Sequence, residues 1–260
     1  MKKKIALLLS ASIFLYACSD NDDDVKQDDA TASVTFNFTH QWNKVEITGN
    51  DFNTIQYENE NGEQMSVERL RYLVSNITFE NTDGETISMD GYNLVDLTNG
   101  TNLTYVLPDS IPVGNYSKVS FTFGFDNEDN KNGAYPDLNS VLWNVPEMLG
   151  GGYHYMQLEG KFIATTDSET GYQYHAIRAV DMLGEELNFE DTFFTVDLGA
   201  VEIRDNTTIE IIMDIAEWFK NPIKWNLNEL HSMMMPNFEA QKMIFQNGKS
   251  VFSLGETTIP

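Results

Sequence analysis

Ala32-Ser33-Val34-Thr35-Phe36-Asn37-Phe38-Thr39-His40 is the stretch that decides the fold. Its even positions carry apolar side chains as far as Phe38, and its odd positions carry small polar ones. A period of two marks a β-strand with one face in a core, because successive side chains leave a pleated backbone on opposite sides. An α-helix would scatter the same residues around its circumference. His40 continues the face of Phe36 and Phe38 and is therefore expected to point inward.

The same signature recurs along the chain. Gln64 to Glu80 is long and rich in Val, Leu, Tyr, Ile and Phe, and Gly114 to Phe125 alternates through Val119, Phe121, Phe123 and Phe125. His154, Met156, Leu158, Phe162 and Ala164 share a face around Gly160, and His175 follows Tyr174 in a short aromatic strand, in phase with Ile177. Thr207 to Ile215 is a further apolar run, and the pairs Asn61-Gly62, Asp83-Gly84, Asn99-Gly100 and Asn132-Gly133 supply turns. Beyond it the pattern turns helical. Asp214 to Lys220 can form one turn before Pro222. Asn226 can cap a short helix carrying Leu227, Leu230, His231 and Met234 on one stripe, and Glu239 to Gln246 can form another. The reading is a mainly β protein, an antiparallel β-sandwich with a small C-terminal helical attachment, forming one domain over 32–260.

The N-terminus reads differently. Lys2, Lys3 and Lys4 precede an apolar run from Ile5 to Ala17, too short for a permanent membrane span. Leu15-Tyr16-Ala17-Cys18 resembles a lipobox, so residues 1–17 are expected to be a lipoprotein signal peptide and Cys18 the lipidated first residue of the mature protein. Cys18 is the single cysteine, so no internal disulfide forms. Ser19-Asp20-Asn21-Asp22-Asp23-Asp24 opens an acidic tether over 18–31. Serine plus acids after the lipid cysteine resembles the surface-export signal of Bacteroidetes-type lipoproteins. The expected partner is thus a membrane, reached through lipidated Cys18. The expected location is the outer membrane, surface-exposed, with a periplasm-facing anchor as the alternative.

Forty acidic residues against 16 basic ones give a net charge of −24. Nucleic acid is excluded as a partner, since no basic face exists to neutralise phosphates. A hydrophobic share of 41% with 12% aromatics supports a proper core. No nucleophile-histidine-acid signature, phosphate loop, zinc spacing or EF-hand loop is present. What remains is four histidines, His40, His154, His175 and His231. An inward imidazole needs partners for both ring nitrogens; a metal can be one, although a satisfied core histidine is the commoner case. Met233-Met234-Met235 offers thioethers that suit reduced copper, but consecutive residues of a helix point in different directions. Asp126, Glu128 and Asp129 could be paired hydrolytic acids, or a solvated loop among Asn127, Asn130, Asn132 and Gly133.

Taken in order, the segments resemble the MbnP-like copper-binding domain family over nearly all of 32–254. The matching pieces are Val34 to His40, Tyr57 and Asn59 through Gly62-Glu63, the long strand Val67 to Ile77, Tyr92 to Asp96, and Ile111 to Tyr116. They continue with Phe123 to Asp126, Trp143, Gly152-Tyr153, Leu158-Glu159-Gly160, Tyr174-His175, Asp214 to Phe219 and Phe252-Ser253. The resemblance implies a β-sandwich that binds copper through two histidines and a tryptophan oxidised to kynurenine, with a di-haem enzyme of the MauG type as the oxidising partner. It places His40 and His175 at the histidine positions and Trp143 at the modified one; His154 and His231 have no counterpart in the motif, and His154 is added as a candidate third nitrogen. The chain departs from the family where Trp-x-Trp is reduced to Trp143, with extra residues before Gly152-Tyr153. It departs again where Ala176-Ile177 replaces a frequent glycine. The implied function is an exported lipoprotein for copper acquisition or handling, not an enzyme. The alternative is a metal-free cell-surface binding or scaffold module for glycan or protein, with Trp42, Trp143, Trp218 and Trp225 as contact platforms. A hydrolase using Asp126 and Glu128 is a third reading.

Overall fold

The computed structural model describes residues 30–259. The signal segment, Cys18 and the acidic run after it lie outside the described residues. Among the described residues, the long strands are β1 (Val34–Trp42), β2 (Arg69–Asn81), β3 (Thr86–Asp96), β4 (Gly114–Phe123), β5 (Met156–Ile163), β6 (Glu169–Ala176), β7 (Phe194–Ile203), β8 (Thr207–Asp214) and β9 (Phe252–Thr258). Two helices, α1 (Pro136–Ser140) and α2 (Phe238–Gly248), lie between them.

β2 organises the larger sheet. One of its edges pairs with β3. Its other edge pairs with β5 over Arg69 to Tyr72 and then with β4 from Val74 onward. The sheet divides there, with β7 outside β4 and β6 outside β5. At the division Leu73 gives its N–H to the Tyr155 carbonyl, and its own carbonyl accepts from Gly124 N–H, so no backbone group is stranded. The smaller sheet runs β9–β8–β1. Its β1–β8 pair is parallel, whereas the other long-strand pairs are antiparallel as expected.

Between the sheets lies an aromatic core. β1 alternates as its sequence requires, with Val34, Phe36, Phe38, His40 and Trp42 all buried. Phe123 stacks on Phe194 at 4.9 Å and meets Trp218 at 5.3 Å, and Tyr174 meets Trp225 at 4.6 Å. Burial of this many aromatic rings, each worth a few kcal/mol of transfer free energy, replaces the disulfides that the chain lacks.

The C-terminal helical expectation holds in part. Asp214 caps a 3₁₀ turn over Ile215–Phe219, and Asn237 caps α2 through Ala240 N–H. The segment from Asn226 to Met235 forms turns instead of a helix. The Glu63 carboxylate accepts from the N–H groups of Leu227 and Asn228, which ties the start of that segment across to the Asn59–Glu63 turn. Met233, at φ 58°, then breaks any helical continuation.

Gly160 on β5 faces the Ser66 carbonyl oxygen and the Tyr172 ring so closely that a Cβ would collide with both. Gly160→Ala is therefore expected to cost about 3 kcal/mol through overpacking. Gly171 on β6, opposite Lys161, where an added Cβ meets only the Gly160 carbonyl at 3.9 Å, should accept alanine almost without cost. Urea melts of the two variants check this, and equal midpoints would refute the close-contact account.

Candidate metal centre

The inward faces of β5 and β6 present Leu158, Phe162, Tyr172 and Tyr174 to the core. Strand alternation puts Gln157, Glu159 and His175 on the opposite face, with Gln157 directly across from His175. His175 Nε2 lies 2.8 Å from Glu159 Oε1, and Arg69 Nη1 reaches the same oxygen at 3.0 Å. Burial pushes the Glu159 carboxyl up, but the His175 hydrogen bond and Arg69 outweigh it and hold it below its ordinary value. With Glu159 engaging Nε2, Nδ1 is the ring nitrogen of His175 that is left to face a ligand.

A second imidazole arrives from a loop. Leu142, exposed and at φ 58°, turns the chain so that Trp143 enters the interior and becomes fully buried. The residues after it form a closed excursion, bridged by Asn144 and Tyr153 and by the Val145 N–H to Gly152 carbonyl bond. Gly152, at φ 79°, lies against the Asn130 side chain, which leaves no room for a Cβ. Because the ends of the excursion pair, its extra residues do not separate Trp143 from His154. The Trp143 carbonyl accepts both the His154 backbone N–H at 3.0 Å and the ring Nδ1 at 2.9 Å.

That carbonyl can only accept, so His154 Nδ1 carries the proton and Nε2 is left with a bare lone pair. Nε2 is buried and has no partner. The His154 and His175 rings meet edge to face at 5.3 Å, and the Trp143 ring lies 5.7 Å from His154. Arg71 spreads over the Trp143 ring at 5.0 Å. Burial and the neighbouring His175 lower the His154 pKa to about 4, so the ring is neutral at physiological pH. Among the described residues four buried side-chain polar atoms lack partners, and three of them, Arg71 Nε, Trp143 Nε1 and His154 Nε2, gather here. At about 1–3 kcal/mol for each such atom, this patch is costly to leave as it is.

The sequence-derived ligand set is thus divided. His154, His175 and Trp143 come together. His40 does not join them, because it points to the core face, where Nε2 lies 3.2 Å from the Tyr72 hydroxyl. Tyr72 belongs to the inward set of β2, and its neighbour Arg71 to the outward set, so the sheet itself separates His40 from His175. The expected shared face of His154 and Met156 also fails: β5 begins at Met156, and His154 precedes it in the loop. His231 Nδ1 bonds the Leu227 carbonyl at 3.1 Å and its ring rests on Phe162. Asp126 holds its own turn through the N–H groups of Glu128 and Asp129, and Asp129 accepts from the Tyr135 hydroxyl. Trp42, Trp143, Trp218 and Trp225 are all buried, so none forms a contact platform. No group of three or more His, Cys, Asp or Glu side chains with metal-holding geometry occurs among the described residues. The residues that sequence reasoning missed are Glu159, legible by its place two positions from Gln157 on an alternating strand, and Gln241 of α2. The Gln241 side chain binds the His175 carbonyl and the Ile177 N–H, and nothing in the local pattern announces it.

Fold and site together define a β-rich sandwich with a buried histidine pair beside a buried tryptophan. The chain belongs to the MbnP family, whose model matches residues 31–235. Among solved structures, MbnP from Methylosinus trichosporium has a TM-score of 0.57 at 14% identity, covering 87% of this chain and 99% of that chain. At that identity the likeness speaks for the fold. The comparison with curated proteins found no match.

Both buried imidazoles bear on acid stability. Burial lowers the His40 pKa to about 3 and, with His175, the His154 pKa to about 4, each from 6.5. In the unfolded chain both protonate near 6.5, while in the metal-free fold both resist. Stability is therefore complete above pH 6.5 and falls as pH drops toward 4, by up to ~1.4 kcal/mol per pH unit for each histidine. Denaturant melts between pH 7.5 and pH 4.5 should show a shallower slope for His40→Gln and His154→Gln than for the native chain. Unchanged slopes would contradict this account.

Proposed function

We propose that this protein is an exported, lipid-anchored copper-binding protein that holds copper at His154 and His175, for acquisition or handling, without catalysing a reaction of its own. The observation that carries the reading is the clustering of unpartnered buried polar atoms around a histidine whose Nε2 lone pair is fixed and neutral. The residues present fit the metal. Two imidazoles beside a buried indole suit monovalent copper, whose single charge is the least costly to bury. Zinc would call for a fuller tetrahedral set. Glu159 orients His175 as carboxylates commonly orient metal-bound imidazoles.

Family membership supports adding Trp143 to the site. Its Nε1 is among the unpartnered atoms, and oxidation to kynurenine by a di-haem MauG-type partner would convert the indole into an aromatic amine able to ligate. The lipobox ending at Cys18 and the acidic run after it support attachment to the outer membrane facing outward.

Anaerobic competition titrations with Cu(I) test the site. One equivalent should bind tightly, and His154→Ala or His175→Ala should weaken it by more than about 100-fold. Glu159→Gln should weaken it about 10–100-fold, and His40→Ala should leave it unchanged. Copper at a hundred times its Kd should add about 2.7 kcal/mol of stability, or about 5–10 °C in melting temperature. Native affinity in both His154→Ala and His175→Ala would end the proposal.

A further inference from the structure

Five of the chain's 11 methionines converge on one pocket of about 240 Å³. Met148 comes from the Trp143–His154 excursion, Met182 from the turn after Ala179–Asp181, and Met233, Met234 and Met235 from the irregular segment ahead of α2. His175 also lines this pocket, and its side chain keeps 11% of its surface accessible. The pocket therefore leads from solvent to an imidazole of the proposed copper centre.

Packing accounts for only part of this set. Met234, 3% exposed, fills the core as methionine often does. Met148 and Met233 are 76% and 73% exposed and Met182 is 40% exposed, so these three fill no gap. Met233 is also held in the left-handed region, a conformation that costs a non-glycine residue free energy and persists only where the surroundings impose it. The imposition is visible. Gln241 Nε2, fully buried, donates to the Met234 carbonyl at 3.0 Å and to the His175 carbonyl at 2.8 Å, so one amide clamps the methionine segment to the histidine strand. The Gln173 N–H to His231 carbonyl bond adds a second tie between the two.

We infer that this pocket is a copper(I) entry site, in which the thioethers of Met148, Met182 and Met233 take Cu(I) from the solvent side and pass it to His175. Thioethers are soft, neutral ligands that prefer monovalent copper and have no proton to lose. The transfer is a ligand exchange: a Cu–N bond to His175 forms as a Cu–S bond breaks. Copper remains Cu(I), so no oxidant or reductant takes part. Binding at the methionines stands on the pocket alone, whereas the handover rests on the copper centre proposed above.

The test uses the full chain with methionine ε-methyl groups labelled with carbon-13, titrated anaerobically with Cu(I). In a His154→Ala, His175→Ala background, the methyl resonances of Met148, Met182 and Met233 should shift on binding one equivalent. Met148→Leu, Met182→Leu and Met233→Leu together preserve volume and should weaken that binding about tenfold or more. With both histidines intact, the same triple variant should keep its final affinity but load about tenfold more slowly. Unshifted methyl resonances, or loading at the native rate in the triple variant, would overturn the entry site whatever the histidine variants show. Complete loss of copper binding in the His154→Ala, His175→Ala background, with no methionine methyl shift, would overturn it while leaving the copper centre standing. Methyl shifts with native tight binding in the histidine variants would keep the methionine site and refute the centre instead.

Discussion

Gly160 lies against the Ser66 carbonyl and the Tyr172 ring with no space for a side chain, and this contact seats the β5–β6 hairpin on the rest of the fold. Ser66 N–H bonds the Lys161 carbonyl and Glu68 N–H the Glu159 carbonyl, so the approach is locked on both sides of the glycine. Once the hairpin is seated, strand alternation leaves no freedom. Leu158, Phe162, Tyr172 and Tyr174 must enter the aromatic core, and Gln157, Glu159 and His175 must face away from it. The candidate centre is therefore the outer face of an element whose inner face is among the best packed in the molecule.

That arrangement suits a site that is costly by itself. Three buried polar atoms without partners, at about 1–3 kcal/mol each, are a large fraction of the stability of a domain this size. The cost can be carried because the walls are rigid. The Trp143 carbonyl holds His154 by two bonds, Glu159 and Arg69 hold the orientation of His175, and Gln241 fixes the backbone on which His175 sits. Each histidine thus has one nitrogen engaged with the protein, which leaves the other to face a metal.

Charge works at longer range. A net charge of −24 surrounds the molecule with a field that attracts cations. The pocket beside His175 is uncharged and soft, lined by thioethers. A field that gathers cations without choosing among them, followed by ligands that prefer a soft monovalent ion, divides attraction from selection.

The sequence by itself determined the mainly β class, several of the long strands and the family. β1 alternates as Val34 to His40 require, and the runs around β2, β4 and β8 fold where their apolar patterns lie, because period-two patterning is local and burial enforces it. It also singled out Trp143, His154 and His175. Tertiary structure decided which of these meet. His40 and His175 each sit on a strand in an inward-seeming phase, and only the sheet's placement of Tyr72 and Arg71 on opposite faces shows that they are separated. His154 reaches His175 through a loop whose closure depends on Asn144 pairing with Tyr153. The turns from Asn226 to Met235 replace an expected helix because Glu63, far away in sequence, takes the N–H groups of Leu227 and Asn228. Local pattern fixes which way a side chain points from its own strand. Which partner waits there is set by contacts between distant segments, and those form only when the whole core closes.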